Sequence, residues 1–298
     1  MAEKQILHMV TPLKHMSPFD VNMALDAGYD AAITYTGVTL EEVPALVQDA
    51  MFSRPPKVGV RTGMFFGGKN AVLALDMLAA AKKAMLPPFG ISLMADPAGS
   101  FTTAAAMVAR VEHILKTKKN RTLEGLRVAI FGATGVVGFS AAVIAALSGA
   151  KVTLVGYDGI RRVGEAAREI TARFAVDAQA ADGSDAAKQT AILLATDVAL
   201  CAGRAGVQIL SKAQLAAAKD LLIVADVNAV PPHGVEGLEV SADGIEVTAH
   251  GTLGIGALAI GPLKSNTESG LLRQMIAATK PLSLDFRDAF GLARALHG

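Results

Sequence analysis

The sequence contains no tryptophan and only one cysteine, Cys201, among 298 residues. A single thiol cannot form an internal disulfide bond and argues against a cysteine-based metal site, so we expect no bound metal. We expect Cys201 to be a small buried residue rather than a nucleophile. Aromatic residues are scarce at 5%, whereas glycine is abundant with 29 residues. This composition favours an α/β chain with many strand-to-helix turns over a β-sandwich.

An excess of charge of either sign is also missing. Lysine and arginine total 28 and aspartate and glutamate 27, which gives a net charge of +1 without a long basic run. This balance argues against a nucleic-acid-binding protein. No apolar stretch reaches the ~18 residues of a membrane span, and the N-terminus lacks the apolar core of a signal peptide. We therefore expect a cytoplasmic protein, with 52% apolar residues available for a large core.

One glycine-rich stretch organises the chain. An apolar run at 128–131 predicts a buried strand, and Gly132, Gly135 and Gly138 lead from it into a helix that ends near residue 147. Such a turn presents backbone amides at a helix start to a phosphate, although the commoner spacing of this motif is GxGxxG. Gly132 would allow the turn, Gly135 the approach of a pyrophosphate, and Gly138 close packing. The alternative is that these are ordinary turn glycines.

The residues that follow extend the expected dinucleotide site. A second strand at 151–156 precedes Asp158, which could accept hydrogen bonds from a ribose, whereas Arg161 and Arg162 could bind a 2′-phosphate. The pattern therefore leaves NAD and NADP open. A further glycine-bearing turn follows a strand at 197–201, where the nicotinamide half would lie. The predicted cofactor-binding residues are Gly132, Thr134, Gly135, Val136, Val137, Gly138, Asp158, Arg161, Arg162, Gly203, Asp226 and Asn228.

The first part of the chain predicts a complete α/β domain without a phosphate loop. Its strands alternate with helices, which is typical of a parallel sheet with crossover helices. We expect a substrate domain at 1–120, a Rossmann-like dinucleotide domain at 121–282, and a cleft between them. A C-terminal helix at 283–298 would pack back on the first domain. The predicted strands of the first domain cover 6–10, 31–35, 62–66 and 91–95.

Two loops at strand ends carry candidate substrate contacts. The loop after the first strand holds His15, and Phe19 follows at the helix start, where its ring could stack on a flat ligand. The loop after the fourth strand holds Asp96, Thr102 and Thr103. Each residue also has an ordinary interpretation, because exposed histidines are mostly solvated, Phe19 could pack as a hydrophobic staple, and the threonines suit helix capping.

Towards the C-terminus, a glycine-rich apolar segment at 254–264 ends in Lys264. The segment is too apolar for a surface loop, which makes this lysine a candidate rather than an ordinary exposed side chain. We expect helices to follow at 265–278 and 283–296.

Together these residues resemble the methylene-tetrahydromethanopterin dehydrogenases of methylotrophic bacteria. The run from residue 13 to 22 is most similar to the branch that accepts NAD as well as NADP. The matching segments are Pro18-Phe-Asp20, Phe52-Ser-Arg54, Phe66-Gly-Gly68, Pro88-Phe89, Gly99-Ser-Phe-Thr-Thr-Ala-Ala-Ala106, Gly132-Ala-Thr-Gly-Val-Val-Gly138, Ala225-Asp-Val-Asn-Ala-Val-Pro-Pro232 and Gly254-Ile-Gly-Ala257 with Leu263-Lys264.

The resemblance implies an oxidoreductase of one-carbon metabolism. Hydride would pass from the methylene bridge of the pterin substrate to C4 of the nicotinamide, leaving a methenyl cation. It also implies two α/β domains flanking a cleft and a homo-oligomer, such as a trimer. By position, the pterin-stacking phenylalanine is Phe19, and the active-site threonine and lysine are Thr103 and Lys264. Glu268 stands where the family form has a histidine, so pterin recognition or the chemistry there would differ.

Two other functions remain open on the sequence alone. One is a methylene-tetrahydrofolate dehydrogenase, and the other is a non-catalytic NAD(P)-binding sensor. The predicted catalytic residues are Lys264, Thr103 and Glu268, and the predicted substrate-binding residues are Phe19, His15, Asp96 and Thr102.

Overall fold

The computed structural model describes residues 3–297 and confirms the predicted α/β class, with two sheets of mostly parallel strands. The chain forms two compact units. Of the described residues, the first unit contains 3–102 together with 265–292, and the second contains 103–264 together with 293–297. The units divide inside two long helices, which continue across residues 102 and 264, whereas the sequence suggested divisions at 120 and 282.

Twelve strands and ten α-helices make up the described chain. The strands are β1 (Ile6–Thr11), β2 (Ala31–Thr36), β3 (Thr62–Phe66), β4 (Ser92–Ala95), β5 (Arg127–Phe131), β6 (Lys151–Gly156), β7 (Ala178–Asp182), β8 (Val198–Cys201), β9 (Ile223–Asp226), β10 (Asp243–Glu246), β11 (Leu253–Ile255) and β12 (Ser283–Leu284). The helices are α1 (Pro18–Ala27), α2 (Val43–Phe52), α3 (Ala71–Ala84), α4 (Ser100–Lys119), α5 (Val136–Leu147), α6 (Ile160–Phe174), α7 (Ala186–Leu194), α8 (Lys212–Ala217), α9 (Ala257–Ala277) and α10 (Phe286–Ala295). Within residues 3–297, no helix is both long and apolar enough to cross a membrane.

The first unit is built on a five-stranded parallel sheet in the order β12-β4-β3-β1-β2. From β1 the chain moves to β2 on one side, and later to β3 and β4 on the other. The strand order therefore reverses beside β1, and in open α/β sheets ligands bind outside the carboxyl ends of strands at such a point. The loops after β1 and β3 lie there, as does His15.

The second unit is built on a seven-stranded sheet in the order β10-β11-β9-β8-β5-β6-β7. Its strands are parallel except for β10, which pairs antiparallel with β11. The order reverses between β5 and β8, and the glycine-rich loop leaves the carboxyl end of β5. This is the strand order in which a dinucleotide is bound across the switch point.

Local sequence signals set several helix ends. The Ser17 hydroxyl accepts a hydrogen bond from the backbone N–H of Asp20, and Pro18 occupies the first turn of α1. Gly28 ends that helix in the left-handed conformation at φ 116°. Asn70 caps α3 by accepting from the N–H of Leu73 at 3.0 Å.

Two predicted C-terminal boundaries are wrong. Helix α9 begins at Ala257 instead of residue 265, and it contains Pro262 in its second turn. A proline inside a helix lacks the N–H for one backbone hydrogen bond and crowds the preceding turn. Pro262 is exposed, whereas the next two residues, Leu263 and Lys264, are buried. The predicted helix at 283–296 instead starts with β12, and α10 begins only at Phe286, because Leu284 pairs with Met94 of β4.

Candidate functional site

Two of the three motif glycines are required by close backbone contacts. A Cβ atom at Gly132, whose φ is +81°, would lie 2.4 Å from the carbonyl oxygen of Ala202 and 2.6 Å from the nitrogen of Gly203. A Cβ at Gly138 would lie 2.4 Å from the carbonyl oxygen of Gly132. The loop after β5 thus packs directly on the turn after β8 and on the first turn of α5. No larger residue fits at either position without a backbone shift.

Gly135 is different, because it stands at the start of α5 in an ordinary conformation at φ −78°. A Cβ there would lie 3.3 Å from the Gly132 oxygen, which is tight but short of a clash. No side chain caps this helix start. The first N–H groups of a helix have no intrahelical partner, so those of Val136 and Val137 can meet an anion. The loop therefore fits a pyrophosphate, with a cradle that a side chain at Gly135 would begin to fill.

An acid and an arginine beside this loop form a small network. Arg162 Nη1 lies 3.1 Å from Asp158 Oδ2 and 3.2 Å from the hydroxyl of Tyr157. Its Nη2 lies 3.5 Å from Thr134 Oγ1, within the glycine loop. Arg161 instead pairs with a glutamate one helical turn away. Of the two predicted arginines, Arg162 alone has contacts to the loop, and Tyr157, which directly precedes the predicted ribose acid, is a neighbour that the sequence analysis did not include.

The side chains of Asp226 and Asn228 form hydrogen bonds with the backbone of the loop that follows β9. Asp226 is buried and accepts hydrogen bonds from the N–H groups of Asn228 at 3.0 Å and Val235 at 3.2 Å. Asn228 accepts from the N–H of Val230 and donates to the carbonyl oxygen of Pro232. Burial raises the pKa of Asp226, against the lowering effect of these N–H donors. Both side chains shape the loop, and direct cofactor contact by them stays a prediction.

In the first unit, the side chains of Asp96 and Thr102 are hydrogen-bonded to each other. Asp96 Oδ1 accepts hydrogen bonds from the N–H groups of Phe101 at 2.8 Å and Thr102 at 3.3 Å, and Oδ2 accepts from the Thr102 hydroxyl at 2.6 Å. Both side chains are fully buried. Asp96 therefore accepts from the first N–H groups of α4, and the Thr102 hydroxyl donates to it instead of capping the helix itself. Thr103, the next residue, is half-buried.

His15 and Phe19 lie on the loop after β1 and on the first turn of α1. His15 is exposed, and 48% of Phe19 is exposed. Contact of either side chain with a ligand stays a prediction. This loop contacts the one after β3, since a Cβ at Gly68 would lie 3.4 Å from Pro12. A shallow cavity of about 360 Å³ opens beside His15 and Lys14.

Lys264 and Glu268 lie four positions apart on α9 and therefore on the same face of that helix. Only 8% of Lys264 and none of Glu268 is exposed. Charged side chains are rarely buried to this degree, because leaving water costs several kcal/mol unless other groups compensate. Their burial is consistent with the predicted roles, which nevertheless stay predictions.

Solved structures of low sequence identity share the fold, and two of them are named for NAD-dependent enzymes. An NAD-dependent malic enzyme from Thermotoga maritima matches with a TM-score of 0.57 at 12% identity, over 97% of this chain and 84% of that one. Shikimate 5-dehydrogenase from Listeria monocytogenes, solved with shikimate and NAD, matches with a TM-score of 0.51 at 14% identity, over 97% and 96%. These likenesses support the fold alone.

Sequence comparisons are more specific. A family model described as methylene-tetrahydromethanopterin dehydrogenase, N-terminal, matches residues 18–98. The NAD(P)-dependent methylenetetrahydromethanopterin dehydrogenase of Methylorubrum extorquens is 52% identical over 295 residues, which cover 99% of this chain and 99% of that protein. The resemblance predicted from the motifs is confirmed, and the chain belongs to the methylene-tetrahydromethanopterin dehydrogenase family.

Proposed function

We propose that this chain transfers hydride from methylene-tetrahydromethanopterin to NAD⁺ or NADP⁺ and releases the methenyl form, as part of one-carbon metabolism. The observation that carries the proposal is the start of α5, where no side chain caps the helix and backbone contacts leave no room for a Cβ at Gly132 or Gly138. This phosphate cradle occurs in a chain 52% identical to a dehydrogenase named for that reaction.

In the second unit, backbone N–H groups would bind the cofactor, and side chains would select between NAD and NADP. The N–H groups of Val136 and Val137 would hold the pyrophosphate, while Asp158 and Arg162 would face the adenosine ribose. When bound, NAD(P)⁺ supplies the carbon that accepts the hydride. The turn after β8, with Gly203, would border the nicotinamide half, and the turn held by Asp226 would lie beside it.

In the first unit, Phe19 would stack on the pterin ring. Asp96 and Thr102 act on substrate through the loop that they fix, and Thr103 would present its hydroxyl to the reacting part of the pterin. Hydride transfer needs no proton donor. The protein must chiefly hold two rings at reaction distance, which agrees with the lack of a conventional acid–base pair among the candidates.

Lys264 and Glu268 would balance charge around the product. The methenyl product is a cation, so a lone ammonium group near the reacting carbon would oppose its formation. A carboxylate stabilises positive charge that develops in the transition state. We assign Lys264 to substrate anchoring, and Glu268, one helical turn away, to offsetting the charge of that ammonium.

A spectrophotometric assay tests this proposal directly. Purified protein is supplied with methylene-tetrahydromethanopterin and NAD⁺ or NADP⁺ separately, and the assay is repeated with methylene-tetrahydrofolate. Turnover with the methanopterin substrate, lost in Lys264→Met, supports the proposal. Turnover with the folate alone would assign a folate dehydrogenase instead. Cofactor binding without turnover of either pterin would favour the sensor.

The proposal includes a homo-oligomer, such as a trimer, and a cytoplasmic location near the NAD(P) pool. Strand β2 supports association, since it forms one edge of its sheet and carries Ile33 with 46% of its surface exposed. Exposed edge strands with apolar side chains are usually covered by another element or another chain. Light scattering coupled to size-exclusion chromatography gives the subunit number, and Ile33→Lys should lower it if this edge is used. An unchanged mass would exclude this edge.

A further inference from the structure

Arg110 of α4 forms a two-pronged ion pair with Asp243, the first residue of β10. Its Nε donates to Asp243 Oδ1 at 2.6 Å, and its Nη2 donates to Oδ2. Only 18% of the arginine side chain is exposed. A planar guanidinium that holds both carboxylate oxygens fixes the direction of the contact as well as its length. The pair therefore holds the start of β10 at one position on α4.

The remaining nitrogen of Arg110, Nη1, lies 3.3 Å from His297 Nδ1. An arginine side chain only donates hydrogen bonds, so this histidine nitrogen is the acceptor and carries no proton. Burial, together with the charges of Arg110 and His113, lowers the pKa of His297, which keeps the ring neutral near pH 7. His297 also stacks on His113 of α4, with ring centroids 4.9 Å apart. The guanidinium is thus held by a carboxylate and by an imidazole.

Helix α4 holds the β10–β11 hairpin at two further positions. Lys118 Nζ donates to the carbonyl oxygen of Gly244 at 2.6 Å, and Lys119 Nζ donates to that of Gly251 at 2.7 Å. Each contact joins one ammonium group on a flexible side chain to one oxygen, so the lysine can adjust if the hairpin moves. The guanidinium of Arg110 cannot adjust in this way without losing one of its bonds. Arg110 is therefore the contact that sets the position of the hairpin.

The backbone beside Asp243 carries this contact to the start of α9. The N–H of Gly256 donates to the carbonyl oxygen of Ala242, the residue before Asp243, at 2.8 Å. A Cβ at Gly256 would lie 2.3 Å from the carbonyl oxygen of Glu239, so the two backbone segments are in direct contact. Helix α9 begins at the residue after Gly256. Its start therefore lies on backbone that the Arg110–Asp243 pair joins to α4.

Thr103 and Lys264 stand at equal distances from these contacts along their helices. Thr103 precedes Arg110 by seven positions on α4, and Lys264 follows Ala257, the first residue of α9, by seven positions. Seven residues make two helical turns, or about 10 Å. Thr103, Arg110, Asp243 and Lys264 all belong to the second unit. The Arg110–Asp243 pair therefore lies in the chain of contacts that joins the two predicted catalytic residues.

We propose that Arg110 is a positioning residue for hydride transfer, which acts by fixing α9, and with it Lys264, relative to Thr103 on α4. The inference rests on the proposed function and adds a residue that does not touch the substrate. Without the Arg110–Asp243 pair the start of α9 can shift, and two turns of hydrogen-bonded helix transmit that shift to Lys264. Rates depend steeply on the placement of reacting groups, and a misplacement of about 1 Å can cost about 100-fold.

Two variants break the pair in different ways. Arg110→Met keeps the apolar stem of the side chain, and Asp243→Asn keeps the shape of the acid. Each should lower kcat for methylene-tetrahydromethanopterin about 10- to 100-fold and leave NAD(P) affinity unchanged, because the glycine loop follows β5, which is distant from β10 in the sheet. The double variant should be no slower than the slower single one, since the two residues act as one unit. Arg110→Lys keeps the charge without the fork and should lose most of this rate as well.

Pterin binding shows whether Arg110 acts through Lys264. Calorimetric titration with methylene-tetrahydromethanopterin, without NAD(P), gives the affinity in the absence of turnover. Arg110→Met should weaken binding about tenfold in protein that contains Lys264, and it should change nothing in a Lys264→Met background. A loss of equal size in both backgrounds would overturn the proposal, because a general loosening of the fold weakens binding with or without Lys264.

Arg127→Met is the matched control. Arg127 forms an equivalent fork with Asp197 in the same unit, on β5, which three strands of the sheet separate from β10. Its removal should leave kcat within about twofold of wild type. Wild-type kcat in Arg110→Met, or equal losses in the two arginine variants, overturns the positioning role and leaves the proposed function intact. Wild-type protein that binds NAD(P) but neither binds nor turns over the pterin overturns both.

Discussion

The hydroxyl of Thr102 donates a 2.6 Å hydrogen bond to Asp96, and both side chains are fully buried. The other carboxylate oxygen accepts from the backbone N–H of Phe101 at 2.8 Å. Asp96 leaves the end of β4 and Thr102 lies in the first turn of α4, so the pair joins strand end to helix start. Because both are used inside the fold, we expect them to affect a substrate only by positioning the loop and the residue that follows, Thr103.

The different roles expected of the adjacent residues Thr102 and Thr103 can be measured. Thr102→Val leaves a buried carboxylate oxygen without its hydroxyl donor, and we expect the free energy of unfolding to fall by about 1–3 kcal/mol. Thr103→Val should instead lower kcat more than Thr102→Val does, and it should cost less stability because Thr103 is only half-buried. Urea unfolding and steady-state kinetics of both variants are compared. Equal losses of stability, or a larger kcat effect at Thr102, would contradict the assignment.

Two of the three motif glycines, Gly135 and Gly138, should respond differently to alanine. At Gly135 the backbone φ of −78° accepts alanine and the nearest contact is 3.3 Å, so Gly135→Ala should fold but bind NAD(P) about tenfold more weakly. At Gly138 the added Cβ would lie 2.4 Å from the Gly132 oxygen, and the variant should lose about 1–3 kcal/mol of stability by overpacking. Calorimetric titration and thermal melting separate the two effects.

Gly164 provides the control for that comparison. It lies inside α6, and a Cβ there would meet nothing closer than the end of an arginine side chain at 3.7 Å. Gly164→Ala should therefore leave NAD(P) affinity unchanged and raise stability by about 0.5–1 kcal/mol. If Gly135→Ala kept wild-type affinity for both cofactors, the pyrophosphate would not lie at the start of α5.

Cys201 should be chemically inert in the native protein. It is fully buried at the end of β8 opposite Asp226 of β9, and burial together with the Asp226 charge raises the pKa of its thiol well above the usual range. The thiolate is the reactive form, so a chromogenic disulfide reagent should label no thiol in native protein at pH 8, and one per chain in denaturant. Raising the pH to 9 should not restore native labelling. Stoichiometric labelling of the folded enzyme within minutes would show that Cys201 is accessible.

Much of the fold was predictable because its determinants are local. Ser17, Pro18 and Gly28 set both ends of α1, and the glycines after β5 mark the turn at the switch point of the second sheet. Alternation of apolar strands with helices was enough to indicate parallel sheets. These signals depend on residues within a few positions of one another, so helix ends and turns can be predicted from the sequence alone.

The errors arose where a distant partner decides the structure. Ser283 and Leu284 form a strand only because β4, about 190 positions earlier, offers a free edge. The helix expected from residue 265 already begins at Ala257 and passes through Pro262. In the same way, the choice of Arg162 over Arg161, and the meeting of Lys14 with Thr34 across a cavity, depend on side-chain directions that neither spacing nor composition contains.

The pair Asp158–Arg162 should set the preference between NAD and NADP. Arg162 lies between Asp158 and Thr134 of the glycine loop, where the 2′-position of the adenosine ribose is expected. Arg162→Ala should weaken NADP binding by about 10- to 100-fold, the cost of a lost charge-assisted contact to the 2′-phosphate, and change NAD binding little. Asp158→Ala should weaken NAD binding instead, because the ribose hydroxyls lose their acceptor. Calorimetric titration with each cofactor, without pterin, gives both affinities.

Arg161→Ala is the matched control for that measurement. Its side chain is 79% exposed and pairs with Glu165 one turn away, a contact that contributes little at a solvated surface. Its removal should therefore leave both affinities within about twofold of wild type, although it deletes the same charge from the adjacent position. Equal losses of NADP affinity in the two arginine variants would mean that general positive charge, rather than the contact geometry of Arg162, attracts the phosphate. A loss confined to Arg162 would establish that this side chain reads the 2′-phosphate.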